Sequence, residues 1–190
     1  MVYYFSFPPE ERESELVILK SVSTDRGMAY ALKEGNITKG IATVHLLKDV
    51  SAIFLVYLAI IPSLQNKGLG SEFFKFVEEN SKKRLQELNI EPKGMVWEVE
   101  KSARNINGEP SDYKKRKAFF DKNGGITLSC KYIQPPVDGK NLVEMFLMTK
   151  GPLTSDIPIN DLIRAIYFDK YYLVNNISKE TLDSLLAKII

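Results

Sequence analysis

One cysteine, one histidine and one tryptophan in 190 residues are a short supply, and each shortage closes off a class of protein. A lone Cys130 cannot form an internal disulfide, which points to a reducing compartment rather than a stapled secreted scaffold. A single histidine and a single cysteine cannot build a tetrahedral zinc site, so no metal is expected. Excess charge is scarce too. The formal net charge is only +2, too small for a nucleic-acid footprint. The longest apolar run, Ser51 to Ile61, is about half of what a membrane span needs. The opening MVYYFSFPPEER has no cationic leader and only a short apolar stretch, unlike a signal peptide. What remains is ordinary, with 44% hydrophobic and 26% charged residues in a chain of one-domain length. A soluble cytoplasmic protein is expected, with neither nucleic acid nor membrane as a partner.

The pattern alternates helices and strands. Pro8-Pro9-Glu10-Glu11 resembles a helix start with acids in its first turn, and Leu16, Val17 and Lys20 carry the helix to about Ser21. Strands are expected at 28–32, 41–47 and 51–60, turned at Glu34-Gly35-Asn36 and Lys48-Asp49, as an antiparallel meander. The third is apolar on both faces, so it should be central and covered on both sides. A helix over 68–88 carries Leu69, Phe73, Phe76 and Val77 on one stripe. A fourth strand follows at 95–100. After a polar loop with Asn107-Gly108, Asp112 is a candidate cap for a helix over 113–122, which Asn123-Gly124-Gly125 ends. Strands at 126–133 and 142–148 and helices at 156–174 and 178–189 complete an α+β chain with a mixed sheet. The expected organisation is one main domain over 1–153 and a helical extension over 154–190 packed on it.

The chemistry-bearing stretch is AIIPSLQNKGLGSEFF, residues 59 to 74, where a glycine turn joins an apolar strand to an amphipathic helix. A P-loop would need Lys-Ser/Thr after its last glycine, but Lys67 precedes both glycines. A dinucleotide fingerprint would need a third glycine where Phe73 stands. A third phosphate-binding pattern, Q/R-x-x-G-x-G/A between strand and helix, is met in full by Gln65-Asn66-Lys67-Gly68-Leu69-Gly70. Its physics is a cradle for a pyrophosphate. The first amides of a helix have no intrahelical acceptor, glycines allow close approach, and the helix dipole and Lys67 add positive potential. The plain alternative is an ordinary strand-to-helix connection. The combination of pattern, context and element order favours the cradle.

On these residues the chain resembles the GNAT superfamily of acyl-CoA N-acyltransferases, in a bacterial N-acetyltransferase branch. LVYLAIIPSLQNKGLGSEFFKFVEE, residues 55 to 79, is the centre of the resemblance. SFPPEER at 6–12, WEVEK at 97–101, KRKAFFDKNGG at 115–125, YIQPPVDGK at 132–140 and LMTKGPL at 147–153 extend it over most of the chain. The resemblance implies a mostly antiparallel sheet flanked by helices and an acetyl-CoA cofactor. It places the pyrophosphate on the amides of Asn66, Lys67, Gly68, Leu69, Gly70 and Ser71, with Gln65 heading the loop. The pantetheine arm would pair with the backbone of Leu58, Ala59 and Ile60, opposite a splay from Trp97 to Glu100. A backbone N–H near Leu58 would polarise the thioester carbonyl.

The implied reaction is direct attack by an amine, small-molecule or peptide, which must lose a proton to a carboxylate. Glu98 and Glu100 share one strand face, with Trp97 and Val99 on the other, and are the candidate base and amine-recognition pair. A solvated strand face has nearly equal claim. Two departures from the family stand out. Phe119-Phe120 occupies the place of a Phe-Tyr pair, so the usual proton donor to the leaving thiolate is missing, and Tyr132 or Tyr113 would have to substitute. Only five residues precede Ser6, so the usual first strand is expected to be absent, its edge exposed or paired with another chain as in a homodimer. A catalytically silent acyl-CoA-binding module therefore stands as the alternative to an enzyme. His45, mid-strand, reads as packed or on the surface, Cys130 as a buried strand residue, and Lys114 to Lys117 as a wet helix face or a contact for the 3′-phosphate. Tyr167, Phe168, Tyr171 and Tyr172 should pack on the sheet or on a second subunit.

Overall fold

A computed structural model describes residues 2–7, 9–101, 105–106, 109–110 and 113–189; for Glu10 and for residues 105–106 and 109–110 only the backbone is described. The expected cap Asp112 and the turn Asn107-Gly108 lie outside the described residues. Strands β1 (Gly27–Glu34), β2 (Ile37–Leu47) and β3 (Ala52–Ile60) form the antiparallel meander. Gly35 takes φ +58 at the first turn, a conformation that favours glycine. After β3 come helix α3 (Leu69–Glu87) and β4 (Gly94–Glu100), which pairs β3 in parallel. A two-residue pair, β5 (Asn105–Ile106) and β6 (Glu109–Pro110), leads to α4 (Tyr113–Lys122). The short β7 (Ile126–Thr127) and β8 (Ile133–Gln134) both pair β9 (Val143–Lys150), giving a seven-stranded sheet in the order β1-β2-β3-β4-β9-β7.

This is the expected α+β architecture, and β3 is central as its two apolar faces require. Ala52 and Phe54 point into one core layer and Ile53 and Leu55 into the other. The second layer holds α3 against the sheet through Phe73, Phe74, Val77 and Leu85. Phe76, expected on that stripe, is instead 51% exposed. The buried line runs through Phe74, one residue after Phe73, which rotates Phe76 out against the edge of Tyr30.

Both ends of the chain differ from expectation. The N-terminal segment is not one helix. It consists of α1 (Val2–Ser6), a single tight turn over Pro9–Glu11, and α2 (Glu15–Ser23), whose first turn is capped by the Ser14 hydroxyl. No strand precedes β1 among the described residues. At the other end, Pro158 interrupts the helix expected over 156–174. It yields α5 (Leu153–Asp156), α6 (Ile159–Ala165) and a π-helical stretch over Ile166–Tyr172, followed by α7 (Lys179–Ile189). These elements are part of the main core. Leu162, Ile163, Ile166, Tyr167, Tyr171, Leu182, Leu185 and Leu186 are buried with Phe54, Val96, Met145 and Leu147 of the sheet. The strand expected over 126–133 is two short pieces, and Cys130 sits half-buried in a bend between them rather than on a strand.

Candidate active site

Three features of the backbone make the site. First, β3 carries a bulge: Thr43 faces Tyr57 while Val44 faces Leu55, so Val56 is an extra residue that bends the strand. Second, the parallel ladder between β3 and β4 stops at Leu55 and Trp97, although the strands run on to Ile60 and Glu100. The two halves of the sheet therefore part. By the alternation of an antiparallel ladder, Ile61, whose N–H bonds Lys39, and Ala59 face β2, so Leu58 and Ile60 turn their polar groups to the open side. Third, the loop after β3 ends in Gly68, left-handed at φ +86, which starts α3 without a side-chain cap.

The loop itself is tied down from one side and open on the other. The Gln65 side-chain amide donates to the Ile60 carbonyl at 3.0 Å, and Asn66 takes φ +61. Ser71 donates its N–H back to Gly68 at 2.9 Å. Among the described residues, the N–H groups of Asn66, Lys67, Gly68, Leu69 and Gly70 find no acceptor. A Cβ on Gly68 would meet nothing within 4 Å, while one on Gly70 would come within 3.1 Å of the Phe119 ring. Donors at a helix N-terminus, open space and close approach are what a pyrophosphate requires, so the residues present fit a CoA-type group.

A cleft opens at the splay. Ser6, Phe7 and Glu11 border it on the N-terminal side, Val56, Tyr57 and Leu58 along β3, and Glu98 and Glu100 along β4. Phe120 and Arg116 of α4, with Gln134 and Met145, complete it. Tyr57 ties the N-terminal segment over this cleft, giving its hydroxyl to the Glu11 carbonyl at 2.7 Å and accepting from the Glu13 N–H at 2.8 Å.

The two acids of β4 are not on a solvated face. Glu100 is buried and bonded by Arg116, whose Nε donates at 3.0 Å and whose Nη2 pairs with the other oxygen. Glu98 lies under the C-terminal π-helical stretch. Tyr132 donates to it at 2.5 Å, Gln134 Nε2 at 2.7 Å, and Tyr171 to both oxygens at 2.9 Å. Burial pushes the Glu98 carboxyl above its ordinary value, and these donors, which favour the charged form, offset that only in part. Burial, then the Glu98 charge, drives the Tyr132 and Tyr171 hydroxyls well above the usual range, so both stay protonated as donors. Tyr132 is thus fully buried with its hydroxyl committed to Glu98. Phe120 stacks on Trp97 with ring centroids 4.8 Å apart and brings no polar atom to the cleft. Tyr113 begins α4, partly exposed.

A second buried polar cluster holds this wall in place. Lys170 is 1% exposed and pairs with Glu13, and Asn175 bonds both. Asp169 bonds Arg26 at 2.5 Å and lies 3.6 Å from the Nε2 of His45, which is wholly buried and held below its ordinary pKa by that burial. His45 is therefore a packed residue. Lys117 pairs with Asp121, and Lys114 is exposed. Sequence patterns missed Gln134 and Tyr171 as site residues. The signals available were a polar residue ending a short strand before Pro135-Pro136, and the i, i+4 pair Tyr167 and Tyr171.

No family model and no curated protein matches the chain. Solved structures do. A protein assigned to the GNAT family of acetyltransferases from Bacteroides thetaiotaomicron aligns over 91% of this chain and 87% of its own, with 19% identity and a TM-score of 0.66. Another assigned to that family, from Desulfovibrio desulfuricans, covers 71% of this chain and 76% of its own at 12% identity and a TM-score of 0.53. A GNAT family acetyltransferase from Elizabethkingia anophelis with acetyl-CoA bound covers 73% of this chain and 83% of its own at 17% identity and a TM-score of 0.51.

Proposed function

We propose that this chain, which has the fold of the GNAT acetyltransferases, moves an acetyl group from acetyl-CoA to an amine by direct attack. The observation that supports this most is that five unpartnered loop amides lead, along the open edge of β3, into a cleft walled by the half-buried carboxylate of Glu98. Acetyl-CoA would supply an activated thioester. The amides of residues 66–70 would hold its pyrophosphate, and the open-side backbone groups of Leu58 and the Ile60 N–H the pantetheine arm, with Ala59 between them turned to β2. Gln65 keeps the loop in place through Ile60, and Ser71 continues the helix behind it.

The amine's lone pair would form the new N–C bond, the electron pair of the broken C–S bond would leave on sulfur, and the amine's proton would go to Glu98. Glu98 rather than Glu100 is the base in this proposal, because Glu100 is ion-paired with Arg116, whereas the partners of Glu98 are neutral donors and leave its carboxyl raised. A carboxyl raised by burial is better matched to taking a proton at neutral pH than an ordinary one. The Leu58 N–H, on the open side of β3, would polarise the thioester carbonyl. Tyr132 acts by positioning Glu98 and not by giving up its proton. The thiolate then leaves unaided, which its parent thiol's pKa near 8.5 allows.

The test is thiol release from acetyl-CoA in the presence of a panel of small and peptide amines, with the product identified by mass. Amine-dependent release with a matching acetylated amine is expected. Phe120, which gives the cleft no donor, favours a second account, an acyl-CoA-binding module without turnover. Tight binding of acetyl-CoA with no amine-dependent release would establish that one instead.

A further inference from the structure

Gln134 is 7% exposed and ends β8, where the following Pro135 favours extended backbone. Its Nε2 donates to Glu98 at 2.7 Å. A carboxylate only accepts, so this bond fixes which way the amide points. The other end, Oε1, is buried and has no partner. Such atoms are uncommon, because a buried polar group without a partner is costly. Three donors of the cleft wall are committed elsewhere. Arg116 is on Glu100, and the Tyr132 and Tyr171 hydroxyls are on Glu98. Gln134 and Glu98 line the same cleft, so a carbonyl oxygen that lacks a donor stands beside a carboxylate.

We propose that Gln134 reads the acceptor, its Oε1 taking one N–H of a primary amine while Glu98 takes the proton of the other. This rests on the acetyl-transfer proposal above. Two adjacent acceptors call for a ligand that brings two hydrogens. A neutral primary amine has two N–H groups, and its lone pair stays free for attack. An N-methyl amine has only one N–H and leaves Oε1 without a donor. Gln134 therefore selects primary over N-methylated amines, and the Glu98 bond that holds its amide couples the base to the recognition group.

Propylamine, benzylamine and phenethylamine, each beside its N-methyl counterpart, are compared as acceptors for wild type, Gln134→Leu and Gln134→Met. Wild type should favour each primary amine by about tenfold or more. Both variants should lose that preference through a higher KM for the primary amine, with acetyl-CoA affinity unchanged. A preference that survives in a folded variant overturns the proposal. Independently of turnover, the side-chain amide resonance of Gln134 in ¹⁵N-labelled wild type should shift when benzylamine is added to the CoA-loaded protein. If no amine is acetylated, the transfer proposal fails. A Gln134 resonance that still moves would then keep the amine site standing, and one that stays put overturns it.

Discussion

Removing the Tyr171 hydroxyl (Tyr171→Phe) should shift the pH dependence of both activity and stability. That hydroxyl donates to both oxygens of Glu98 at 2.9 Å from a residue only 1% exposed. A hydrogen bond to a charged group contributes about 1.5–3 kcal/mol. At 1.36 kcal/mol per pKa unit, losing it makes Glu98 harder to ionise by about one to two pH units. A base must be ionised to act, so the acidic limb of kcat/KM moves up by that amount while the alkaline plateau is nearly spared. The stability effect has a definite sign. Burial already raises the Glu98 carboxyl, so the folded state holds its proton more tightly than the unfolded chain does. Glu98's contribution to stability is present at low pH and is lost as pH rises through the raised folded value. Tyr171→Phe deepens that loss, so its Tm deficit should be larger at mildly alkaline than at acidic pH. The assays are thiol-release kinetics across pH and thermal unfolding at both extremes. A rate lowered equally at every pH, with the same Tm deficit at both, would refute the coupling of Tyr171 to Glu98.

Glu98→Gln should cut turnover by about a hundredfold or more and leave acetyl-CoA affinity nearly intact, since general-base help is worth at least that; a wild-type pH profile in the variant rules Glu98 out as base. Gly68→Val forces a branched residue into φ +86, and Gly70→Val sets a Cβ 3.1 Å from Phe119, so each should weaken acetyl-CoA binding by about tenfold or more, as read by calorimetric titration. Equal affinity in both valine variants contradicts the cradle. Phe120→Tyr offers the cleft a protonated hydroxyl and should raise turnover by about tenfold at most, chiefly with weakly basic amines. A fall in turnover with an intact fold would mean that the thiolate needs no donor there and that the apolar wall matters more.

Local signals carried much of this fold. β3 announces itself by apolar residues on both faces, and the loop at 65–70 by glycines at a strand-to-helix junction. Both depend on neighbours in sequence, which is why they were legible. Glu98 and Glu100 were ambiguous because acid-apolar alternation also describes a half-exposed strand. What buries Glu98 is Tyr171, which is 73 residues away, and no periodicity in β4 reports that contact. The closing segment misled for a related reason. Its spacing resembles one long amphipathic helix, but Pro158 divides it, and its π-helical part turns Tyr167, Lys170 and Tyr171 inward together. Gln134 was invisible as a site residue because its role depends on an acceptor left without a partner, a property of the packed cleft rather than of the chain.

A structure of the protein with acetyl-CoA bound tests the central claim most directly. The pyrophosphate should lie on the amides of residues 66–70, the pantetheine arm along Leu58 to Ile60, and the acetyl carbon should face the cleft that holds Glu98 and Gln134. Density for the cofactor elsewhere, or an acetyl group turned away from that cleft, would contradict it.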